Sequence, residues 1–256
     1  MRYPLIATLA ATLLAACSST PISGRSNTLV FLSDSQQVQL GEEAYAEYLG
    51  GAQIITSGSQ AAMVERVMNN LVAALGAEDP GFPWEVKLVR DDATVNAWCL
   101  PGGKMAVYTG ILPVTQDETG LAVVMGHEIA HAVAEHGARR MQYQLGKETV
   151  FEMVQSLYPD SEPFMGLADS VVEYGAILPF GREDELESDH IGLILMARAG
   201  YDPREAVGFW SRMAALGSSG TPAWMSTHPS NEQRIQQLED EMPNAIAIYQ
   251  QATGKP

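Results

Sequence analysis

Hydrophobic residues recur at helical spacing along most of the chain and alternate only between residues 84 and 109. The helical spacing predicts helices over residues 36–49, 60–75, 117–136, 138–157, 183–199, 203–216 and 231–239. The alternation predicts strands over residues 84–90, 94–100 and 104–109, the last two joined by Pro101-Gly102-Gly103. Helices before and after a few strands indicate an α+β fold, mainly helical and in one domain, with a small sheet beside the helix over 117–136.

The first residues have the pattern of a bacterial targeting segment. An apolar stretch from Leu5 to Leu14 follows Met1-Arg2 and is too short to span a bilayer. It ends in Leu14-Ala15-Ala16-Cys17, which resembles the lipobox of bacterial lipoproteins and so implies that Cys17 becomes the first mature residue and carries lipid. An ordinary secretory signal with a chance cysteine is the alternative. By the same resemblance, Ser18 favours the outer membrane of a Gram-negative cell.

This interpretation divides the chain into four parts. They are a signal peptide over 1–16, a lipidated N-terminus with a flexible tether over 17–34, a folded domain over 35–250 and a flexible tail over 251–256. Ser, Thr, Pro and Gly in residues 18–30 are typical of such a tether. No later apolar run has the length of a membrane span, so we expect a soluble domain that is held at the membrane by the lipid on Cys17.

Charge and cysteine content exclude some functions. The formal net charge is −16 and the pI is near 4.6, which argues against nucleic-acid binding because that function favours a basic face. The same charge argues against electrostatic binding to anionic lipid. Only Cys99 remains once Cys17 carries lipid, so no disulfide within the chain is expected. We expect Cys99 to be a small buried strand residue.

Polar residues interrupt the apolar run over 121–134 at His127-Glu128-Ile129-Ala130-His131. Two histidines four residues apart share one helix face, so both rings can bind one Zn²⁺. Glu128 lies beside that face, where a carboxylate can take a proton from a water activated by zinc. The structural alternative is a helix with one satisfied core histidine and one exposed histidine. However, a glutamate and two histidines in an otherwise apolar helix are costly without a role. The pattern predicts metal-assisted hydrolysis, most often of a peptide bond.

Zinc needs a third protein ligand and an open position. His136 is the nearest candidate, but an extended HExxHxxGxxH motif needs glycine at 134 and histidine at 137, where the chain has Ala134 and Gly137. We therefore expect His136 to be a polar residue near a helix end, where a partly positive ring is favoured.

The helix over 183–199 offers a better candidate. Glu185 and Asp189 share one helix face, whereas Glu187 points about 200° away from Glu185. One carboxylate of the pair can ligate zinc while the other orients a ligand histidine through its second ring nitrogen. The alternative is a solvated acidic helix start that is favourable to the helix dipole.

Four segments together resemble the HtpX/BepA-type family of zinc metallopeptidases, which includes the CaaX prenyl proteases. They lie at residues 96–103, 126–137, 185–192 and 227–235. The resemblance implies that Glu185 is the third zinc ligand and that Asp189 lies behind a ligand histidine. It implies that His228 lies near the metal, where it stabilises the oxyanion or caps the zinc at rest; a loop histidine packed near a helix start is the alternative. Arg234 anchors this loop or helps to hold the oxyanion.

Asn96 begins the segment before the Pro-Gly-Gly turn. A strand edge beside a zinc cleft can align an extended peptide by main-chain hydrogen bonds, which makes Asn96 a candidate for facing the substrate. The alternative is a plain hairpin, in which the glycines only supply turn geometry.

The sequence thus predicts a zinc endopeptidase in which His127, His131 and Glu185 hold one Zn²⁺ and Glu128 transfers protons. The resemblance and the lipid imply unfolded or misassembled envelope proteins as substrates, at the periplasmic face of the outer membrane. With neither transmembrane helices nor a C-terminal repeat region, the chain looks like the short periplasmic lipoprotein peptidases of this group. Two alternatives are a lipid-anchored chaperone or assembly factor with a mostly closed zinc site, and a structural lipoprotein with an inactive site.

Overall fold

The computed structural model describes residues 17–28, 30, 32–143, 180–216, 222–229 and 232–255. The strands are β1 (Cys17–Ser19), β2 (Ser26–Thr28), β3 (Ile54–Ile55), β4 (Glu85–Val89), β5 (Ala97–Leu100) and β6 (Lys104–Tyr108). The helices are α1 (Asp34–Leu49), α2 (Ser59–Leu75), α3 (Leu112–Thr115), α4 (Glu118–Val133), α5 (Arg182–Arg198), α6 (Glu205–Leu216), α7 (Ala223–Thr227) and α8 (Glu232–Thr253). Short 3₁₀ turns cover Gly76–Glu78 and Thr109–Ile111. Within the described residues, no helix has both the length and the apolar character of a membrane span.

Four of the strands form a mixed sheet in the order β3-β4-β6-β5. β6 pairs in parallel with β4 and antiparallel with β5. Gly102 and Gly103 connect β5 to β6 with φ angles of 80° and 82°, which other residues rarely adopt. The α+β class and the hairpin around Pro101-Gly102-Gly103 are confirmed.

α4 runs through the centre of the core. The Asp117 side chain caps its first turn by accepting hydrogen bonds from the backbone N–H groups of Thr119 and Gly120. Every residue from Gly120 to Val133 is buried, because α2, α5, α6 and β5 all pack against this helix. A polar side chain on α4 therefore has to find its partner inside the protein.

α4 and α5 approach most closely at a pair of glycines. A Cβ atom on Gly192 would lie 3.0 Å from the backbone nitrogen of His127, and one on Gly126 would lie 3.2 Å from the Gly192 carbonyl oxygen. These distances are shorter than ordinary van der Waals contact, so a larger residue at either position would force the two backbones to shift by a few tenths of an ångström. The two backbones therefore meet directly beside the His127-Glu128 segment, and the carboxylates of α5 reach the histidines of α4.

The chain departs from the predicted helices at several places. α4 ends at Val133 because Glu135 has a φ angle of 56°, and a new helix starts at residue 136. The predicted helix over 138–157 lies partly outside the described residues. The short helix α7 forms where a loop was predicted over 218–230.

The last helix is much longer than the predicted helix over 231–239. α8 continues to Thr253, through Pro243 and into the predicted tail. A proline inside a helix is unfavourable, but α8 buries Leu238 before Pro243 and Ala245 and Tyr249 after it. Packing of these residues against the core holds the helix on both sides of the proline.

Residues of the predicted tether form regular structure. β1 and β2 pair antiparallel, with Cys17 opposite Thr28 and Ser19 opposite Ser26. The composition of this segment did not predict a hairpin, because its polar and small residues are equally typical of a loop.

The glycine contact between α4 and α5 leads to a stability prediction. Gly192→Ala should lower the free energy of unfolding by about 1–3 kcal/mol, because its Cβ would press against the backbone of α4. Gly208→Ala in α6 is the matched control, since its Cβ would meet only side-chain ends, those of Arg212 and Glu205, and no backbone atom of another element. That change should be neutral or stabilising by up to about 1 kcal/mol. Urea unfolding in the presence of a chelator measures both, and equal effects would contradict the prediction.

Candidate metal centre

Four buried side chains aim nitrogen or oxygen atoms at one small space. His127 and His131 come from α4, Glu185 comes from α5, and His228 directly follows α7. The Nε2 atom of His131 lies 3.1 Å from Nε2 of His127 and 3.4 Å from Oε1 of Glu185. The Nδ1 atom of His228 lies 3.2 Å from the same His127 nitrogen and 3.0 Å from the same Glu185 oxygen. The structure thus brings together the three predicted ligands and His228.

The donor set fits a zinc ion. Imidazole nitrogens and a carboxylate oxygen are ligands that zinc prefers, and tetrahedral bonds of about 2.0–2.1 Å place two donors about 3.3 Å apart. Formal charges agree with this identity, because among the described residues the buried carboxylates of Glu128, Glu185 and Asp189 face the buried guanidinium of Arg234. With the ligand imidazoles neutral, as metal binding requires, two negative charges remain, and a divalent cation would offset them in a place where uncompensated charge is costly.

His127 is oriented from behind by a carboxylate that an arginine holds. The Nδ1 atom of His127 lies 3.0 Å from Oδ1 of Asp189, and Arg234 donates to both oxygens of that carboxylate at 2.6 and 2.7 Å. With Nε2 of His127 on the metal, its Nδ1 carries the proton and donates to Asp189, which fixes the ring. Burial lowers the pKa of His127, but hydrogen bonds to Asp189 and Glu185 outweigh burial and raise it to about 9. Asp189 therefore lies where the predicted orienting role requires it.

His131 is also oriented from behind, by residues that the sequence analysis did not select. Its Nδ1 atom lies 2.9 Å from Nδ1 of His136, and Nε2 of His136 lies 3.0 Å from Oε2 of Glu187. One arrangement of protons satisfies both contacts: His131 donates from Nδ1 to His136, and His136 donates from Nε2 to Glu187. Nε2 of His131 then has a free lone pair for a metal ion.

The expectation for His136 holds for its position but not for its charge. The residue lies just beyond the end of α4, as expected, but its side chain is buried, and burial lowers its pKa instead of favouring a positive ring. On a continuous helix, a residue five positions after His131 lies about 140° away around the axis. The positive φ angle of Glu135 breaks the helix and turns the next residue back towards His131. Local periodicity carries no signal for such a break.

Two further groups hold Glu128, the predicted proton acceptor. The indole nitrogen of Trp224 donates to Glu128 Oε1 at 2.7 Å, and Nε2 of His228 lies 3.2 Å from the same oxygen. The His228 ring stacks on Phe180, with centroids 5.4 Å apart and planes at 23°. His228 thus has one ring nitrogen among the metal donors and the other on Glu128. This geometry favours the capping alternative for His228.

Arg234 lies behind the donor set rather than in front of it. Besides Asp189, its guanidinium contacts Oε2 of Glu185 at 2.5 Å and donates to the carbonyl oxygen of Pro229 at 3.1 Å. Asp189 and Arg234 carry opposite charges and pair directly, so the burial of both side chains is tolerated. These contacts favour the anchoring alternative, in which Arg234 ties the loop after His228 to the metal ligands.

Asn96 precedes β5, which lies at one edge of the four-stranded sheet. The backbone N–H of Trp224 donates to the carbonyl oxygen of Val95 at 3.0 Å. The segment that carries His228 therefore contacts the strand edge next to Asn96, and the role of Asn96 towards substrate stays a prediction.

Cys99 is buried in β5, as expected. Cys17 lies in β1, and its lipidation also stays a prediction.

The similarity of this chain to known proteins covers the residues of the metal centre. The model of peptidase family M48, whose members use zinc, matches residues 58–242. The mitochondrial metalloendopeptidase OMA1 of Schizosaccharomyces pombe is 38% identical over 213 residues, which cover 81% of this chain and 61% of that protein. The human metalloendopeptidase OMA1 is 31% identical, covering 93% of this chain and 48% of that protein. A putative β-barrel assembly-enhancing protease of Vibrio cholerae is 32% identical, covering 67% and 37%. The chain thus spans between about a third and three fifths of the length of these three proteins.

Proposed function

Because this chain belongs to peptidase family M48, we propose that it is a zinc-dependent endopeptidase. The observation that carries the proposal is the convergence of His127, His131 and Glu185 from two helices, with the Glu128 carboxylate one residue from the first ligand. Three protein ligands and a nearby carboxylate are the parts that metal-assisted peptide hydrolysis requires.

The metal ligands and Glu128 have different roles in the proposed reaction. His127, His131 and Glu185 would hold the zinc ion, which would supply a Lewis acid for the carbonyl group of the substrate and lower the pKa of a water from about 15.7 towards 7. Glu128 takes a proton from the attacking water and later delivers it to the leaving amine. Glu128 Oε1 now accepts from Trp224 and faces His228, so both groups have to release it before it acts as a base.

The described arrangement corresponds to a resting state. His228 Nδ1 lies 3.2 Å from Nε2 of His127 and 3.0 Å from Oε1 of Glu185, so with zinc bound it would take the position that a catalytic site keeps open for water. Trp224, four residues earlier, holds Glu128 through its side chain and Val95 through its backbone. Movement of this one segment would free the open position, the proton acceptor and the strand edge together.

For the biological setting, unfolded or misassembled envelope proteins are the proposed substrates. A lipid on Cys17 would hold the enzyme at the periplasmic face of the outer membrane in a Gram-negative cell. The lipobox-like residues 14–17 support this setting, as does the likeness to a protein named as a β-barrel assembly-enhancing protease.

The lipid anchor is tested on protein extracted from membranes with detergent. Mass spectrometry should find Cys17 as the first residue with acyl chains attached, because the lipobox-like pattern places cleavage there. A mature protein that begins elsewhere, or that carries an unmodified Cys17, would remove the anchor from the proposal and leave the peptidase activity untouched.

The role of Glu128 is tested by Glu128→Gln. This variant should bind one zinc per chain and cleave casein about 10²- to 10⁴-fold more slowly, the range lost with a general acid–base group. Glu118→Gln is the matched control, since Glu118 starts the same helix and pairs with Arg66 outside the metal centre. It should cleave at the unaltered rate. Undiminished cleavage by Glu128→Gln would remove this residue from the mechanism.

A second candidate function is a lipid-anchored chaperone with a mostly closed zinc site. His228 contacts both the metal donors and Glu128, and this closed arrangement favours the chaperone function. Casein cleavage and the aggregation of reduced insulin separate the two functions. Zinc-dependent fragments support the peptidase, whereas suppressed aggregation without fragments supports the chaperone.

His228→Ala tests whether the closed site limits activity. If the open state is populated at about 0.1–10%, removal of the cap should speed casein cleavage by about tenfold or more. His190→Ala is the control, because His190 pairs with Glu241 rather than with the metal donors. Slower cleavage by His228→Ala would instead assign His228 to oxyanion stabilisation and contradict the capping role.

A further inference from the structure

The N-terminal hairpin contacts the carboxylate that lies behind His131. Ser23 and Arg25 are in the turn between β1 and β2. Arg25 Nη1 lies 2.8 Å from Glu187 Oε2, and Ser23 Oγ donates to Glu187 Oε1 at 2.5 Å. Arg25 also reaches Asp184 and Glu183, at the start of α5. The hairpin is therefore fastened to the first turns of the helix that supplies Glu185.

Glu187 joins the hairpin to the metal centre. Its side chain is 3% exposed, and the oxygen that meets Arg25 also accepts from His136. His136 in turn is the partner of His131. An unbroken series of contacts thus runs from the hairpin to a metal ligand.

The two ligand histidines are supported in the same manner. Behind His127 stands Asp189, which Arg234 holds from α8. Behind His131 stand His136 and Glu187, which Arg25 holds from the hairpin. A carboxylate paired with an arginine therefore fixes each ring, and in the second case the arginine comes from a segment far from the ligands in sequence.

We propose that the hairpin over residues 17–28 is a positioning element of the metal centre, in which Arg25 and Ser23 hold Glu187 so that His136 keeps His131 in its metal-binding orientation. The proposal rests on the proposed zinc site. Outer partners of a metal ligand fix its tautomer and ring orientation, and their loss weakens metal binding. Because Cys17 lies in β1, the proposed lipid attachment point belongs to the same element.

The sign of the effect separates positioning from simple electrostatics. Arg25 is a cation, so its removal should strengthen the binding of Zn²⁺ if it acts only through long-range charge. If it acts through Glu187 and His136, its removal should weaken binding, because the His131 ring loses its support. The two mechanisms therefore predict opposite changes for one substitution.

The experiment measures zinc affinity by competition with a chromophoric chelator, on the full chain purified in detergent. Arg25→Met removes the charge and keeps most of the stem. Arg198→Met is the matched control, since Arg198 has a similar exposure, 35% against 32%, and also pairs with a distant carboxylate, that of Glu78. Glu187→Gln and the Arg25→Met/Glu187→Gln double variant test the route. Asp189→Asn serves as the reference for loss of the carboxylate behind His127.

Arg25→Met should weaken zinc binding by about 3- to 10-fold, less than the 10- to 100-fold typical of direct partners of a ligand, which we expect for Glu187→Gln and Asp189→Asn. In the Glu187→Gln background, Arg25→Met should add less than about twofold, because the route is already interrupted. The visible absorption of the Co²⁺-substituted protein should change in Arg25→Met and stay unaltered in Arg198→Met.

Two results would overturn the proposal. The first is an unchanged or higher zinc affinity of Arg25→Met; if the metal-free variant then also unfolds at a lower temperature, Arg25 has a structural role only. The second is that the effects of Arg25→Met and Glu187→Gln multiply in the double variant. Failure of the unaltered protein to bind zinc, or to cleave casein with zinc bound, would contradict the proposed function instead.

Discussion

The metal centre depends on how closely α4 and α5 approach one another. At Gly126 and Gly192 the two backbones lie so close that an added Cβ would meet backbone atoms at 3.0–3.2 Å. Glu185 and Asp189, one turn apart on α5, consequently reach the two histidines that are one turn apart on α4. A larger residue at the crossing would push the two helices apart and lengthen the contacts between buried polar side chains, which is unfavourable. The contacts of the metal centre therefore depend on the close crossing of α4 and α5.

Charge compensation follows from this constraint. Burying carboxylates on α5 is tolerated only because each one has a defined cationic or hydrogen-bonding partner. Asp189 has Arg234, Glu187 has Arg25, and Glu185 has Arg234 together with the imidazoles of the donor set. Burial raises the pKa of Asp189 and Glu187, but Arg234 and His127 outweigh burial at Asp189, and hydrogen bonds from His136 and Ser23 outweigh it at Glu187, so that both pKa values are lowered. The same contacts that stabilise the charges also fix the rings that present nitrogen to the metal.

Local patterns in the sequence predicted the parts of the site that are close together in the chain. The spacing of His127 and His131, the apolar helix around them and the β5-β6 turn follow from periodicity and turn chemistry. Glu185 was selected by family resemblance, because a residue more than fifty positions from His131 cannot be placed by spacing. His136 and Glu187 were missed for different reasons: a backbone break at Glu135 reorients the first, and the second points to another face of α5 than Glu185. The resemblance was right about the family, whereas a specific likeness to lipoprotein peptidases stays a prediction, since the relatives include mitochondrial as well as bacterial proteases.

The resting arrangement links peptide binding to opening of the site. Val95, two residues before the edge strand β5, now accepts from the backbone of Trp224, and a peptide aligned along β5 and the residues before it would offer the same kind of donor. Exchange of one backbone hydrogen bond for another has a small net free energy, so further contacts between the peptide and the cleft have to offset the translational and rotational freedom that the peptide loses on binding. Displacement of Trp224 would also withdraw its indole from Glu128 and shift His228, because α7 is only five residues long and connects both contacts. Under the proposed function, the substrate itself therefore supplies part of the free energy that opens the fourth position, and an empty strand edge favours the closed state.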